Sequence, residues 1–165
     1  IQHCLQVADT AQMAETIYGD KLHIFSASDL APYEQFPSWR PDLYLSLKPT
    51  SSTKRQRYMV DVWDDTKPFF VSVRKMRSYI KDEDEGDWYE DTPYPYILAV
   101  CTDDQSQKKL NRQIVKAVDE TYSELTFATT TLEKLQNSTK PTDKIWSKVD
   151  ADGDDEKVSL KNLYS

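Results

Sequence analysis

A chain of 165 residues with 38% apolar side chains, four Trp and ten Tyr can enclose one hydrophobic core, which excludes a disordered tail and leads us to expect a single domain over 1–165. No run approaches the roughly 18 consecutive apolar residues of a membrane span, and the opening Ile1-Gln2-His3-Cys4 lacks the basic and apolar sections of a secretion signal. The net charge of −7 argues against nucleic acid only on average, because the runs 82–91 and 150–156 hold twelve of the 28 acids and no Lys or Arg, leaving 21 basic against 16 acidic groups elsewhere.

In chain order, residues 4–18 carry Leu5, Val7, Ala11, Ala14, Ile17 and Tyr18 on a helical period, and Gly19 stands where a C-terminal cap is expected. Residues 21–27 alternate as a short strand, and a loop through Pro32 and Pro37 leads to Trp39. Residues 40–48 set Leu43, Leu45 and Leu47 on one face and Asp42, Tyr44 and Ser46 on the other, as in a half-buried strand. After the loop 49–53, residues 57–63 alternate again, so the two strands are expected to pair antiparallel.

Pro68 opens a helix reaching about Lys81, with Phe69, Val73, Met76 and Ile80 as its apolar stripe and Arg74, Arg77 and Lys81 on another face. An acidic loop follows as far as Pro93 and Pro95, with Trp88 in a solvated excursion. Tyr96–Cys101 is continuously apolar, as in a central strand covered on both faces. Thr102-Asp103-Asp104 starts a long helix with Leu110, Ile114 and Val118 on its core side; Phe127–Thr131 is a further strand, and 144–149 with 157–163 form a terminal hairpin around Gly153. Three glycines cannot supply a dinucleotide-binding fingerprint or a phosphate loop.

Chemistry concentrates at Asp42 and Asp61, which the hairpin would bring side by side at strand ends. Paired carboxylates there suit a hard cation such as Mg²⁺, able to hold a phosphate oxygen and activate water. The plainer alternatives are that Asp42 fixes a strand entry and Asp61 pairs with a neighbouring Arg. Asp150, Asp152 and Asp154 imitate the start of a calcium loop, but Asp155 and Lys161 occupy the positions that need Gly and Glu, so an acidic turn is the better reading. Asn137-Ser138-Thr139 fits a glycosylation pattern that carries no weight without a secretion signal. Cys4 and Cys101 are far apart and are expected to be buried, reduced thiols of a cytoplasmic protein.

The element order αβββαβ, with Pro41-Asp42 opening the second strand, resembles the PD-(D/E)xK, or restriction-endonuclease-like, superfamily. More closely, His3-x-Leu5-x-Val7-x-Asp9, Arg40-Pro41-Asp42, Val60-Asp61 with Thr66, Lys75 with Tyr79, and Tyr94-Pro95-Tyr96-Ile97-Leu98 resemble the plasmid replication-relaxation family. The resemblance implies an α/β fold with a central mixed sheet flanked by helices and a C-terminal β-hairpin, in a DNA-associated protein of mobile elements. It also implies a winged-helix region ahead of this chain, which would fit an opening residue other than Met.

Carried over by position, Asp42 would be the first metal ligand and Asp61 would stand where the family has Glu. Trp63 occupies the slot of a third active-site residue, an acid in the family and Lys in the wider superfamily. Indole neither ligates a metal nor orients water, so Asp64 or Lys75 would have to substitute, with His3 and Tyr79 as further candidates and Arg74, Arg77 and Lys81 as DNA contacts. Three readings follow: a degenerate nuclease fold that binds DNA or a relaxase-type partner, a Mg²⁺-dependent endonuclease or nickase using Asp42 and Asp61, and an interaction domain whose acidic loop docks a basic partner.

Overall fold

The alternating and apolar runs become strands of one sheet laid down in chain order. The computed structural model describes residues 1–48, 54–63, 66–86, 88–89, 91–149 and 155–164. Helix α1 (Gln2–Tyr18) leads into β1 (Leu22–Ser26), the short α2 (Ala27–Leu30), β2 (Leu43–Leu47), β3 (Gln56–Val62) and α3 (Phe69–Glu85). Then come β4 (Tyr96–Cys101), α4 (Asp104–Thr121), β5 (Phe127–Thr131), α5 (Leu132–Asn137), β6 (Trp146–Val149) and β7 (Asp155–Val158). Among the described residues the sheet has seven strands in the order β1 to β7. The pairs β3/β4 and β4/β5 are parallel, and every other neighbouring pair is antiparallel.

The parallel pairs require crossovers, and α3 and α4 supply them on one face. Met76, Tyr79 and Ile80 of α3 and Leu110, Ile114 and Ala117 of α4 pack there against Met59, Ile97, Ala99 and Phe127. On the opposite face Ala14, Ile17 and Tyr18 of α1, Leu135 of α5, and Leu160 and Leu163 cover Leu45, Tyr58, Val60, Leu98 and Val100. A sheet covered twice explains why β4 is apolar throughout. It also corrects the half-buried reading of β2: all five of its residues are buried, Tyr44 packing edge-on against Phe36 at 5.0 Å.

Four further expectations change. The acids Asp82 to Glu85 continue α3 instead of forming a loop, and Asp82 accepts a hydrogen bond from the Tyr94 hydroxyl at 2.6 Å. The buried face of α3 is Ser72, Met76, Tyr79 and Ile80, so Phe69 and Val73 lie toward its edge. Trp88 is packed on Phe36 and Tyr94, at 5.3 and 5.4 Å, rather than solvated, because Phe36 and Tyr94 offer it aromatic surface. Cys4 is exposed on α1 while Cys101 is buried, because lying inside a helix does not place a side chain on its covered face.

Two short helices were not anticipated, α2 with a capping box between Ser26 and Asp29, and α5 capped by the Thr131 hydroxyl. The last strand is shorter than expected, since Lys161–Tyr164 forms a 3-10 turn that buries Leu163. The turn 49–53 and the acidic turn 150–154 lie outside the described residues. Among the described residues no helix is long and apolar enough to cross a membrane.

Candidate functional site

The register of β2 on β3 pairs Leu43 with Val60, so one step further Asp42 stands beside Asp61. The Asp42 backbone N–H donates to Asp61 Oδ1 at 3.3 Å, and the Val62 N–H donates to Asp42 Oδ2 at 2.9 Å. Both acids sit where the strands leave their last pairing, so each carboxylate accepts from the other strand's backbone. The hairpin thus does what the alternation of both strands required.

Helix α3 closes the inner side. Lys75 and Tyr79 lie one turn apart on the same helix face. The Lys75 ammonium donates to Asp61 Oδ1 and the Tyr79 hydroxyl donates to Asp61 Oδ2. The start of α1 closes the outer side, where His3 Nε2 meets Asp42 Oδ1 at 3.0 Å. Trp39, carried by the loop before β2, stands edge-on to Tyr79 at 4.7 Å. Its loop is turned into the strand by Arg40, whose φ is +34°.

Burial separates the two acids. Asp61 is 1% exposed, whereas the Asp42 side chain is 19% exposed and its His3 partner 26%. Burial pushes the Asp61 carboxyl up from its ordinary range; the Lys75 cation works against this, and the Asp42 charge adds to it. Burial, followed by the negative charge of Asp61, holds the Tyr79 hydroxyl well above its usual range, so it stays a donor at neutral pH.

His3, Asp42, Asp61, Lys75 and Tyr79, drawn from α1, β3, α3 and the entry to β2, therefore meet in one network. Asp64 lies outside the described residues. Trp63 packs on the α3 side, and its buried indole N–H has no hydrogen-bond partner among the described residues. Arg74, Arg77 and Lys81 are on another face of α3, away from the acids. The Arg74 guanidinium lies 5.5 Å from the Phe70 ring centre, and both Arg77 terminal nitrogens donate to Glu120 at 3.2 Å. Sequence reasoning missed Trp39, although the prolines at 37 and 41 mark its loop as held. It also did not anticipate that His3 pairs with Asp42.

A resident Mg²⁺ asks for about six oxygen ligands in a near-octahedral shell. Among the described residues the ligands on offer are two carboxylates, and the inner one already accepts from an ammonium on one oxygen and from a phenol hydroxyl on the other. Among the described residues no three His, Cys, Asp or Glu side chains are grouped to hold an ion. Asp42 and Asp61 are the carboxylates that would hold such an ion, with waters completing its shell, and Lys75 and Tyr79 are already hydrogen-bonded to the inner one.

No family model matches the chain, and no curated protein does. It is similar to the solved structure of restriction endonuclease FokI bound to DNA, with a TM-score of 0.53 and 12% sequence identity over 81% of this chain. The match spans 23% of the FokI chain, less than a quarter of its length. At that identity the likeness speaks for the fold, and the chain has a restriction-endonuclease-like α/β fold.

Proposed function

We propose that this chain is a DNA-associated module on a nuclease-like fold, in which the carboxylate centre locks the architecture and cuts nothing. The observation that carries the reading is the state of Asp61: 1% exposed, with Lys75 on one oxygen and Tyr79 on the other. A carboxylate so enclosed is engaged as a structural anchor, with an ammonium hydrogen-bonded to one oxygen and a phenol to the other. Trp63, at the position where the superfamily carries Lys, supports the same conclusion, since indole offers water no base.

DNA enters the proposal through the fold it shares with a nuclease solved on DNA, and through the cations of α3. The meeting of His3, Asp42, Asp61, Lys75 and Tyr79 supports the resemblance to the plasmid replication-relaxation family, whose motifs supplied all five. On that resemblance the DNA belongs to a plasmid or conjugative element, with a relaxase-type protein as partner.

A specific observation favours a second reading, an active Mg²⁺-dependent endonuclease or nickase. Asp42 is partly exposed beside Asp61, and Lys75 stands at the pair. Incubating the chain with labelled supercoiled, duplex and single-stranded DNA, in EDTA and then in Mg²⁺ or Mn²⁺, separates the two. We expect metal-independent retention of DNA that stays covalently intact. Metal-dependent cleavage lost in Asp42→Ala would overturn the module and restore the enzyme; neither retention nor cleavage of any DNA would overturn both.

A further inference from the structure

Phe70 is among the most exposed aromatic residues of the described chain, at 58%, and it stands at the start of α3 on the side away from Asp61. Its surroundings are aromatic and cationic. The Arg74 guanidinium lies over its ring at 5.5 Å, and the Lys109 ammonium of α4 lies over the neighbouring Phe69 ring at 4.4 Å. Phe69, Phe70, Arg74, Arg77, Lys81 and Lys109 line one open groove of about 660 Å³ between α3 and α4, with no acid among its lining residues.

Aromatic faces set between cations are the equipment of a single-strand groove: unpaired bases stack on the rings while the cations follow the phosphates. A duplex keeps its bases stacked inside and would leave Phe70 unused. From Phe70 to Lys81 the helix axis runs about 16 Å, enough for a short stretch of strand. We propose that the α3/α4 groove binds single-stranded DNA, stacking a base on Phe70 and holding phosphates with Arg74, Lys81 and Lys109. This rests on the DNA association proposed above and names its substrate class. Arg77 is partly spent on Glu120, so its share is smaller.

The test uses the whole chain and fluorescence anisotropy with a labelled oligo-dT, a duplex of equal length and an abasic strand of equal length. The single strand should bind about tenfold more tightly than the duplex, and the abasic strand should lose most of that advantage. Phe70→Ala, at an exposed position that leaves the core intact, should weaken oligo-dT about tenfold without changing the salt dependence. Lys81→Ala should instead lower the slope of log affinity against log salt by about 0.7. Equal binding of duplex and single strand, or oligo-dT binding indifferent to both variants, would overturn the groove while leaving DNA association standing. Failure to bind any DNA would overturn both, and a dimer in sedimentation that Phe70→Ala dissolves would assign the ring to a second copy of the chain.

Discussion

Asp42 and Asp61 hold each other through the backbone: Asp61 Oδ1 accepts the Asp42 N–H at 3.3 Å, and Asp42 Oδ2 accepts the N–H of Val62, the residue after Asp61, at 2.9 Å. Each carboxylate thus closes a place where the β2/β3 ladder ends. This reciprocity ties the pair to stability as well as to any chemistry, and the two contributions can be measured apart.

Removing Asp61 takes the acceptor from the partly buried Lys75 ammonium and from the fully buried Tyr79 hydroxyl. We expect Asp61→Ala to cost about 3 kcal/mol in urea denaturation, within the range for breaking a buried ion pair. Tyr79→Phe should cost about 1.5 kcal/mol, the value of one hydrogen bond to a charge. The double variant Asp61→Asn with Lys75→Met should recover part of the loss, because no unpaired charge is left buried. A loss below about 1 kcal/mol for Asp61→Ala would show that the network does not hold the fold.

Asp42 contributes less and His3 least. Asp42→Ala leaves the Val62 N–H without its acceptor, which should cost about 1 to 3 kcal/mol. His3→Ala removes a partly exposed pairing with Asp42 and should cost less than about 1 kcal/mol. Thermal unfolding of both variants checks the order; an equal loss from each would mean that His3 anchors α1 more firmly than its exposure indicates.

Two carboxyls should respond to pH with opposite sign. Folding raises the Asp61 carboxyl, chiefly through burial, so its contribution is fully present below the unfolded value near 3.9 and is lost as pH climbs through the raised value. Folding lowers Asp143 through the Thr139 N–H, the Ser138 hydroxyl and the Lys140 N–H, so its contribution is present above the unfolded value and is lost as pH falls through the lowered one. In urea titrations from about pH 3 to about pH 7, Asp61→Asn should gain on the wild type as pH rises, and Asp143→Asn should fall behind it. Reversed slopes would contradict both assignments.

The two thiols should differ in reactivity. Cys4 is exposed, whereas Cys101 is buried in β4 and its thiol is pushed up to about 12 by burial. A disulfide reagent should titrate one thiol per native chain and two after denaturation. Two reactive thiols in the native state would show that β4 opens readily.

Much of the architecture was legible in the residue order. The alternation in 40–48 and 57–63, the apolar run of Tyr96–Cys101 and the Asp103 cap before α4 determined β2, β3, β4 and α4, because strand and helix periods are written locally in side-chain polarity. The same periods put Asp42 beside Asp61 and turned Lys75 and Tyr79 toward one side of α3. What covers each face is not a local property. Only the tertiary structure decided that β2 is buried on both sides, that Trp88 packs against Phe36, and that Cys4 faces outward. The state of the acid pair was decided in the same way: a carboxylate is a cation site or a structural anchor according to which donors reach it first. Those donors, Lys75, Tyr79 and His3, come from elements 14 to 39 residues away in sequence and meet the acids only once α1 and α3 have docked on the sheet.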